Sequence, residues 1–122
     1  MLLKDFYSVI SSTELEGEFI TEVKINKDHE LYKGHFPDRP VTPGVILMQL
    51  FKEEAERRTN KKLQLATAAN VKFMAVVDPN ICERLILQSS IVSENGIFSL
   101  KGIAKQNETI SLKISATYKA IS

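Results

Sequence analysis

The chain has 122 residues, of which 43% are hydrophobic and 25% charged, as expected for one soluble globular domain over residues 1–122. Its 16 Lys and Arg against 15 Asp and Glu give a formal net charge of +1, which excludes the overall basic field typical of nucleic-acid binding. A single cysteine and two histidines exclude an internal disulfide and a cysteine-based zinc cluster, so we expect no metal and no cofactor.

No apolar run approaches the length of a membrane span, and the N-terminus reaches charged residues too early for a signal peptide. We therefore expect a cytoplasmic protein without a membrane partner.

The first part of the chain predicts two strands and a long loop. Residues 5–26 contain apolar and polar residues in alternation, interrupted at Glu16-Gly17, which predicts two strands joined by a turn. Residues 26–43 hold three of the four prolines, so an irregular loop with fixed backbone angles is expected there.

The period changes from Pro43 onward. Met48, Phe51 and Ala55 recur at spacings of three and four, which predicts one long helix over residues 43–59. Charged residues occupy the other faces of this predicted helix, so we expect those faces to be exposed to solvent.

Everything from Leu63 onward predicts strands. Asn95-Gly96 is a strong hairpin signal, and the last run alternates from Ile110 to Ala120. The order of two strands, a helix and four strands indicates an α+β fold in which an antiparallel sheet of about six strands wraps around one long helix. Because one helix cannot cover so broad a sheet, a second copy is expected to complete the packing, giving a dimer.

The chemically informative segment is GHFPDRPVTPGVILMQ, residues 34–49. It places the imidazole of His35 in a loop bounded by prolines and begins the predicted helix near Gly44. The unpaired N–H groups at a helix N-terminus suit an oxygen that becomes negative during a reaction. A base and an oxyanion site are thus neighbours in sequence.

These residues resemble the beta-hydroxyacyl-(acyl carrier protein) dehydratases, which have the hot-dog fold. The family pattern G-H-F-P-x-x-P-V-x-P-G-V is met at every specified position from Gly34 to Val45. The resemblance implies that His35 removes the C2 proton of a 3-hydroxyacyl thioester, while the amides of Gly44 and Val45 polarise the thioester carbonyl. It also implies an acidic residue fourteen positions after the histidine, reached from the other subunit's helix, which protonates the departing hydroxyl.

That acidic position is occupied by Gln49, whose amide has no proton to give at neutral pH. The family helix usually has its acid at this position and its amide one turn later, whereas here Gln49 is followed one turn later by Glu53. Residues four apart share a helix face, so Glu53 is a candidate acid for a displaced reacting group. The simpler interpretation of Glu53 is a solvated helix face with an ion-pair partner such as Arg57.

Three functions stay open at this level. The first is a 3-hydroxyacyl thioester dehydratase that gives a trans-2-enoyl thioester in fatty-acid or related lipid or polyene synthesis. The second is a catalytically silent hot-dog subunit that binds such a chain or pairs with an active homologue. The third is a hot-dog thioesterase. The partner implied by the resemblance is acyl carrier protein carrying a 3-hydroxyacyl chain, or acyl coenzyme A, and the assembly is a homodimer, an oligomer of dimers or a heterodimer.

Overall fold

The computed structural model describes residues 5–29, 42, 44–79 and 82–121. The secondary structure comprises, in chain order, β1 (Tyr7–Leu15), β2 (Glu18–Ile25), α1 (Gly44–Thr59), β3 (Leu63–Phe73), β4 (Arg84–Glu94), β5 (Ile97–Gln106) and β6 (Thr109–Ala120). Within these ranges no helix combines the length and the apolar character needed to cross a membrane.

The strands form a single six-stranded sheet in the order β1-β2-β4-β5-β6-β3, with every neighbouring pair antiparallel. The predicted turns are confirmed: Glu16 and Gly17 have φ values of 52° and 81°, and Asn95 and Gly96 have φ values of 54° and 78°. Such left-handed angles match the twist of a tight hairpin. Over the described residues, the architecture is the predicted α+β arrangement of one long helix and an antiparallel sheet.

The helix α1 lies against the sheet through the apolar side chains of Leu47, Leu50, Phe51 and Ala55, all of which are buried. The sheet contributes alternate residues of its central strands to the same core, among them Leu87, Leu100, Leu112 and Tyr118. The predicted solvated face of the helix is wrong in one respect, because Glu53 and Glu54 are also buried, at 2% and 1% exposure. A wrapped sheet covers more of the helix surface than an apolar stripe alone would require.

The start of α1 is attached to the chain that follows β3. The backbone N–H of Thr42 donates to the carbonyl oxygen of Val77 at 2.8 Å. A Cβ added to Gly44 would lie 2.5 Å from the ring of Phe73. A side chain at position 44 would therefore require the partly exposed ring of Phe73 to move, so a glycine fits this close approach. Pro43, the predicted first residue of the helix, lies outside the described residues.

The two edges of the sheet are β1 and β3, and apolar side chains are exposed on both. Val9 of β1 is 44% exposed and Leu65 of β3 is 42% exposed. Phe73, Met74 and Val76 extend the exposed apolar surface at the end of β3. The helix does not cover these side chains.

The contact between Gly102 of β5 and Phe51 of α1 allows a test of this packing. A Cβ at position 102 would lie 2.6 Å from the fully buried ring of Phe51. We expect Gly102→Ala to lower the free energy of unfolding by about 1–3 kcal/mol, because the ring has no free space into which it can move. Urea unfolding would measure this, with Ser99→Ala on the exposed side of the same strand as the control. Equal stability of the two variants would contradict the packing described here.

Candidate active site

A small groove lies between α1 and the β3 side of the sheet and has a volume of about 190 Å³. Its lining side chains come from one face of the helix and from the adjacent strands β3 and β6: Val45, Met48, Gln49, Lys52, Leu65 and Tyr118. The helical members are spaced three or four residues apart because such residues share a face. The groove therefore presents mainly apolar walls with a few polar groups.

Gln49 connects this groove to a buried carboxylate. Its Nε2 donates to Oε2 of Glu53 at 3.2 Å. The hydroxyl of Tyr7 on β1 donates to Oε1 of the same carboxylate at 2.8 Å. Nη1 of Arg57 in turn donates to the Tyr7 hydroxyl at 2.5 Å. Glu53 thus takes part in a hydrogen-bonded chain of side chains, and we call these four residues, Tyr7, Gln49, Glu53 and Arg57, the Glu53 network.

Glu54 has a separate set of donors. Arg57 donates to its Oε1 through Nη2 at 3.0 Å and through Nε at 3.2 Å, and Nε of Arg58 donates to its Oε2 at 3.4 Å. The hydroxyl of Thr21 on β2 also donates to Oε2. A buried carboxylate with two guanidinium partners is compensated for its loss of water. Arg57 therefore connects the two buried glutamates, and the expected ion pair of Arg57 is made with Glu54.

Two tyrosines in this region resist ionisation. Burial raises the pKa of Tyr7 to about 12; the hydrogen bond from Arg57 lowers this pKa, and the neighbouring carboxylate of Glu53 raises it. Burial alone raises the pKa of Tyr118 to about 12. Both hydroxyls are consequently neutral donors at physiological pH.

The structure brings some of the predicted site residues together. Gln49 and Glu53 are in direct contact, as their spacing of four residues predicted. Gly44 and Val45 lie in the first turn of α1; Gly44 adjoins a second cavity of about 440 Å³ near Phe73, and Val45 adjoins the groove. His35 lies outside the described residues, so its predicted role as the base stays a prediction.

Sequence reasoning did not identify Tyr7 as part of the site, and it assigned Arg57 to the wrong glutamate. Tyr7 and Glu53 are separated by 46 positions along the chain, and nothing in the pattern of β1 marks one residue for this contact. Tyr118 lies in the alternating run from Ile110 to Ala120, and the sequence did not mark it as a site residue. Within the described ranges, no group of three His, Cys, Asp or Glu side chains is placed to hold a metal ion.

Comparison with known proteins identifies the family. The family model described as ApeI dehydratase, of the ApeI-like family, matches residues 11–113. A 3-hydroxyacyl-[acyl-carrier-protein] dehydratase FabZ from Caldanaerobacter subterraneus subsp. tengcongensis is 31% identical over 105 residues, which cover 79% of this chain and 73% of the relative. FabZ from Lactococcus lactis subsp. cremoris is 29% identical over 115 residues, covering 88% and 75% of the two chains.

Solved structures show the same fold. The dehydratase heterocomplex ApeI:P from Xenorhabdus doucetiae superposes with a TM-score of 0.72 at 16% identity, covering 92% of this chain and 96% of that one. A putative thioesterase, yhdA from Lactococcus lactis, superposes with a TM-score of 0.69 at 12% identity, covering 99% and 96%. The fold is therefore the hot-dog fold, as the sequence resemblance implied. The chain belongs to the ApeI-like dehydratase family.

The raised tyrosine pKa values predict how stability changes in alkali. Because the folded state holds these phenolic protons up to about pH 12, their contribution to stability is complete below pH 10 and is lost as the pH rises from 10 towards 12. As the pH rises to 12, we expect the free energy of unfolding of Tyr118→Phe to fall by on the order of 2 kcal/mol less than that of the wild type, since Phe cannot ionise. Urea unfolding of both proteins at several pH values from 8 to 12 would measure it. Parallel curves for the two proteins would contradict the assignment, because lysine titration affects both equally.

Proposed function

We propose that this protein removes water from a 3-hydroxyacyl thioester carried by acyl carrier protein, giving a trans-2-enoyl thioester. The observation that carries the proposal is the family motif from Gly34 to Val45, which is met at every specified position. Gln49 lies at the family's acid position, lines the groove beside the start of α1, and donates a hydrogen bond to Glu53. Membership of a dehydratase family and the relatives named for 3-hydroxyacyl-[acyl-carrier-protein] dehydration support the same reaction.

The proposed roles follow from the chemistry of each residue. His35 takes the C2 proton, and the amides of Gly44 and Val45 stabilise the negative charge that develops on the thioester oxygen. The C3–O bond then breaks and the hydroxyl leaves as water, which requires one added proton; without a carboxyl group in the groove, this proton comes from solvent water. Gln49 can bind the hydroxyl but has no proton to supply. Glu53 is the carboxyl in contact with Gln49, and it is absent from the groove lining. We therefore expect a low rate for the protein alone.

The amide of Gln49 at the acid position also favours a second candidate function. In this case the protein binds the acyl chain and an active homologue supplies the missing carboxyl group. The dehydratase heterocomplex ApeI:P, to which the fold is similar, shows that a hot-dog dehydratase can assemble with a different subunit. The thioesterase alternative has the fold similarity to yhdA in its favour, but no residue match comparable to the segment from Gly34 to Val45.

We further propose that a second subunit covers the β3 edge. β3 is eleven residues long, and its residues 63–71 carry no charge that would discourage pairing with another strand. The groove reaches this edge at Leu65, and the exposed side chains of Phe73, Met74 and Val76 continue from the end of β3. A subunit placed here would give the groove a further wall. The predicted homodimer, or a heterodimer with a homologue, would use this surface.

The dimer has a matched test, because Leu65 and Val9 are almost equally exposed on opposite edges. We expect Leu65→Asp at the β3 edge to convert a dimer into a monomer, since a buried unpaired carboxylate opposes association. Val9→Asp at the β1 edge should leave the dimer intact. Sedimentation or light scattering at micromolar concentration would measure the masses. A wild-type mass of one chain, or dissociation by Val9→Asp alone, would contradict the proposed interface.

The central prediction concerns the acid position. Gln49→Glu places a second carboxyl beside Glu53, so that the pair shares a proton at neutral pH and offers it to the groove. We expect dehydration of a 3-hydroxyacyl carrier protein to rise by on the order of a hundredfold. Glu53→Gln should have a smaller effect on the low basal rate. Turnover would be followed by formation of the conjugated enoyl thioester, with carrier-protein binding measured in parallel to detect misfolding.

The other outcomes distinguish the alternatives. A severe loss in Glu53→Gln, together with no gain in Gln49→Glu, would show that Glu53 is already the acid. If neither substitution changes turnover and the protein still binds the acylated carrier protein, the dehydratase proposal fails and the silent-subunit candidate stands. Release of free acyl acid would instead support a thioesterase.

A further inference from the structure

The Glu53 network has a fixed direction of hydrogen bonding. Arg57 has only N–H donors, so the Tyr7 hydroxyl oxygen must be the acceptor of the contact between them. The single O–H of Tyr7 is then used to donate to Oε1 of Glu53. Because the pKa of Tyr7 is raised to about 12, this proton stays in place at neutral pH.

The contact with Glu53 also determines the orientation of the Gln49 side-chain amide. Nε2 of Gln49 is the atom that donates to Oε2 of Glu53, so the NH₂ group of the amide faces the carboxyl group of Glu53. The carbonyl Oε1 of Gln49 is then on the other side of the amide plane. Within the described part of the chain, no protein group donates a hydrogen bond to this oxygen. Gln49 is only half-buried, and it is one of the side chains that line the groove.

The carbonyl oxygen of Gln49 differs from most of the other groups in the groove because it is a strong hydrogen-bond acceptor. Val45, Met48 and Leu65 provide apolar walls, and the ammonium of Lys52 only donates hydrogen bonds. The strong acceptors among the lining side chains are therefore the Gln49 carbonyl and the Tyr118 hydroxyl. A ligand group next to Gln49 is matched when it carries a hydrogen-bond donor.

We propose that Gln49 is a specificity-determining residue that presents a hydrogen-bond acceptor to the groove, and that Glu53, held by Tyr7 and Arg57, is the positioning residue that imposes this orientation. This inference rests on the proposed function. It specifies the ligand as an acyl chain with a hydroxyl at C3, selected over chains that carry an oxo group or no oxygen there. An oxo group would place two acceptors opposite each other and leave both without a partner.

A binding experiment tests the inference separately from catalysis. Three acyl-pantetheine amides of equal chain length that differ only at C3, bearing a hydroxyl, an oxo group or hydrogen, would be titrated by calorimetry. The His35→Ala variant serves as the common background, so that no ligand is converted. We expect the hydroxyl ligand to bind about tenfold or more tightly than the oxo ligand.

Three substitutions in this background test the assigned roles. Gln49→Leu should weaken binding of the hydroxyl ligand and bring the three affinities close together. Glu53→Gln should leave affinity for the hydroxyl ligand within a few-fold but reduce the discrimination to about threefold or less, because a glutamine at 53 can pair with either side of the Gln49 amide. Tyr7→Phe should partially reduce the discrimination between the hydroxyl and oxo ligands. Glu56→Gln is the matched control, since Glu56 accepts a hydrogen bond from the backbone of Leu63 outside the network, and discrimination should be unchanged.

The failures are distinguishable. Equal binding of the hydroxyl and oxo ligands by the background protein would overturn the inference about Gln49 while leaving the proposed function in place. Full discrimination in Glu53→Gln would overturn the positioning role. If none of the three ligands binds to a folded protein, the proposed function and this inference both fail.

Discussion

The burial of two adjacent carboxylates on α1 is the constraint on which the rest of the structure depends. Glu53 and Glu54 are almost completely removed from water, and an unpartnered buried carboxylate would cost several kcal/mol. Their donors come from four places: Tyr7 on β1, Thr21 on β2, Gln49 one turn earlier on the same helix, and the arginines one turn later. These contacts fix the helix relative to the first hairpin more specifically than apolar packing could.

The two glutamates differ in their hydrogen-bond partners and therefore in their roles. Glu54 accepts from Arg57 and Arg58, so its interactions are those of a structural ion-pair cluster. Glu53 accepts from Tyr7 and from Gln49, and the second of these reaches the groove. One buried charge thus holds the helix in place, while the other controls a side chain at the candidate site. The polar core and the site share Arg57, so their geometries are coupled.

Gln49 is the feature that separates this chain from the chemistry that the family pattern implies. A carboxyl at that position can bind a hydroxyl and protonate it, whereas an amide can only bind it. The exchange with Glu53 is more than a swap of positions, because the carboxyl group at position 53 is absent from the groove lining and accepts hydrogen bonds from Tyr7 and Gln49. Under the proposed function, recognition of a hydroxylated chain and the supply of a proton would be separated, and a second subunit at the β3 edge would be one way to bring them together.

The sequence by itself determined the α+β class, the hairpin turns, the helix α1 and the family motif, because each depends on local periodicity or on short-range spacing. It also predicted the contact between Gln49 and Glu53, since residues four apart on a helix are neighbours. The contact of Tyr7 with Glu53, the burial of the charged face and the closure of Phe73 over Gly44 were decided only by the tertiary structure. Each joins elements distant in sequence, and the pairing of such elements depends on how far the sheet wraps around the helix, which no local pattern records.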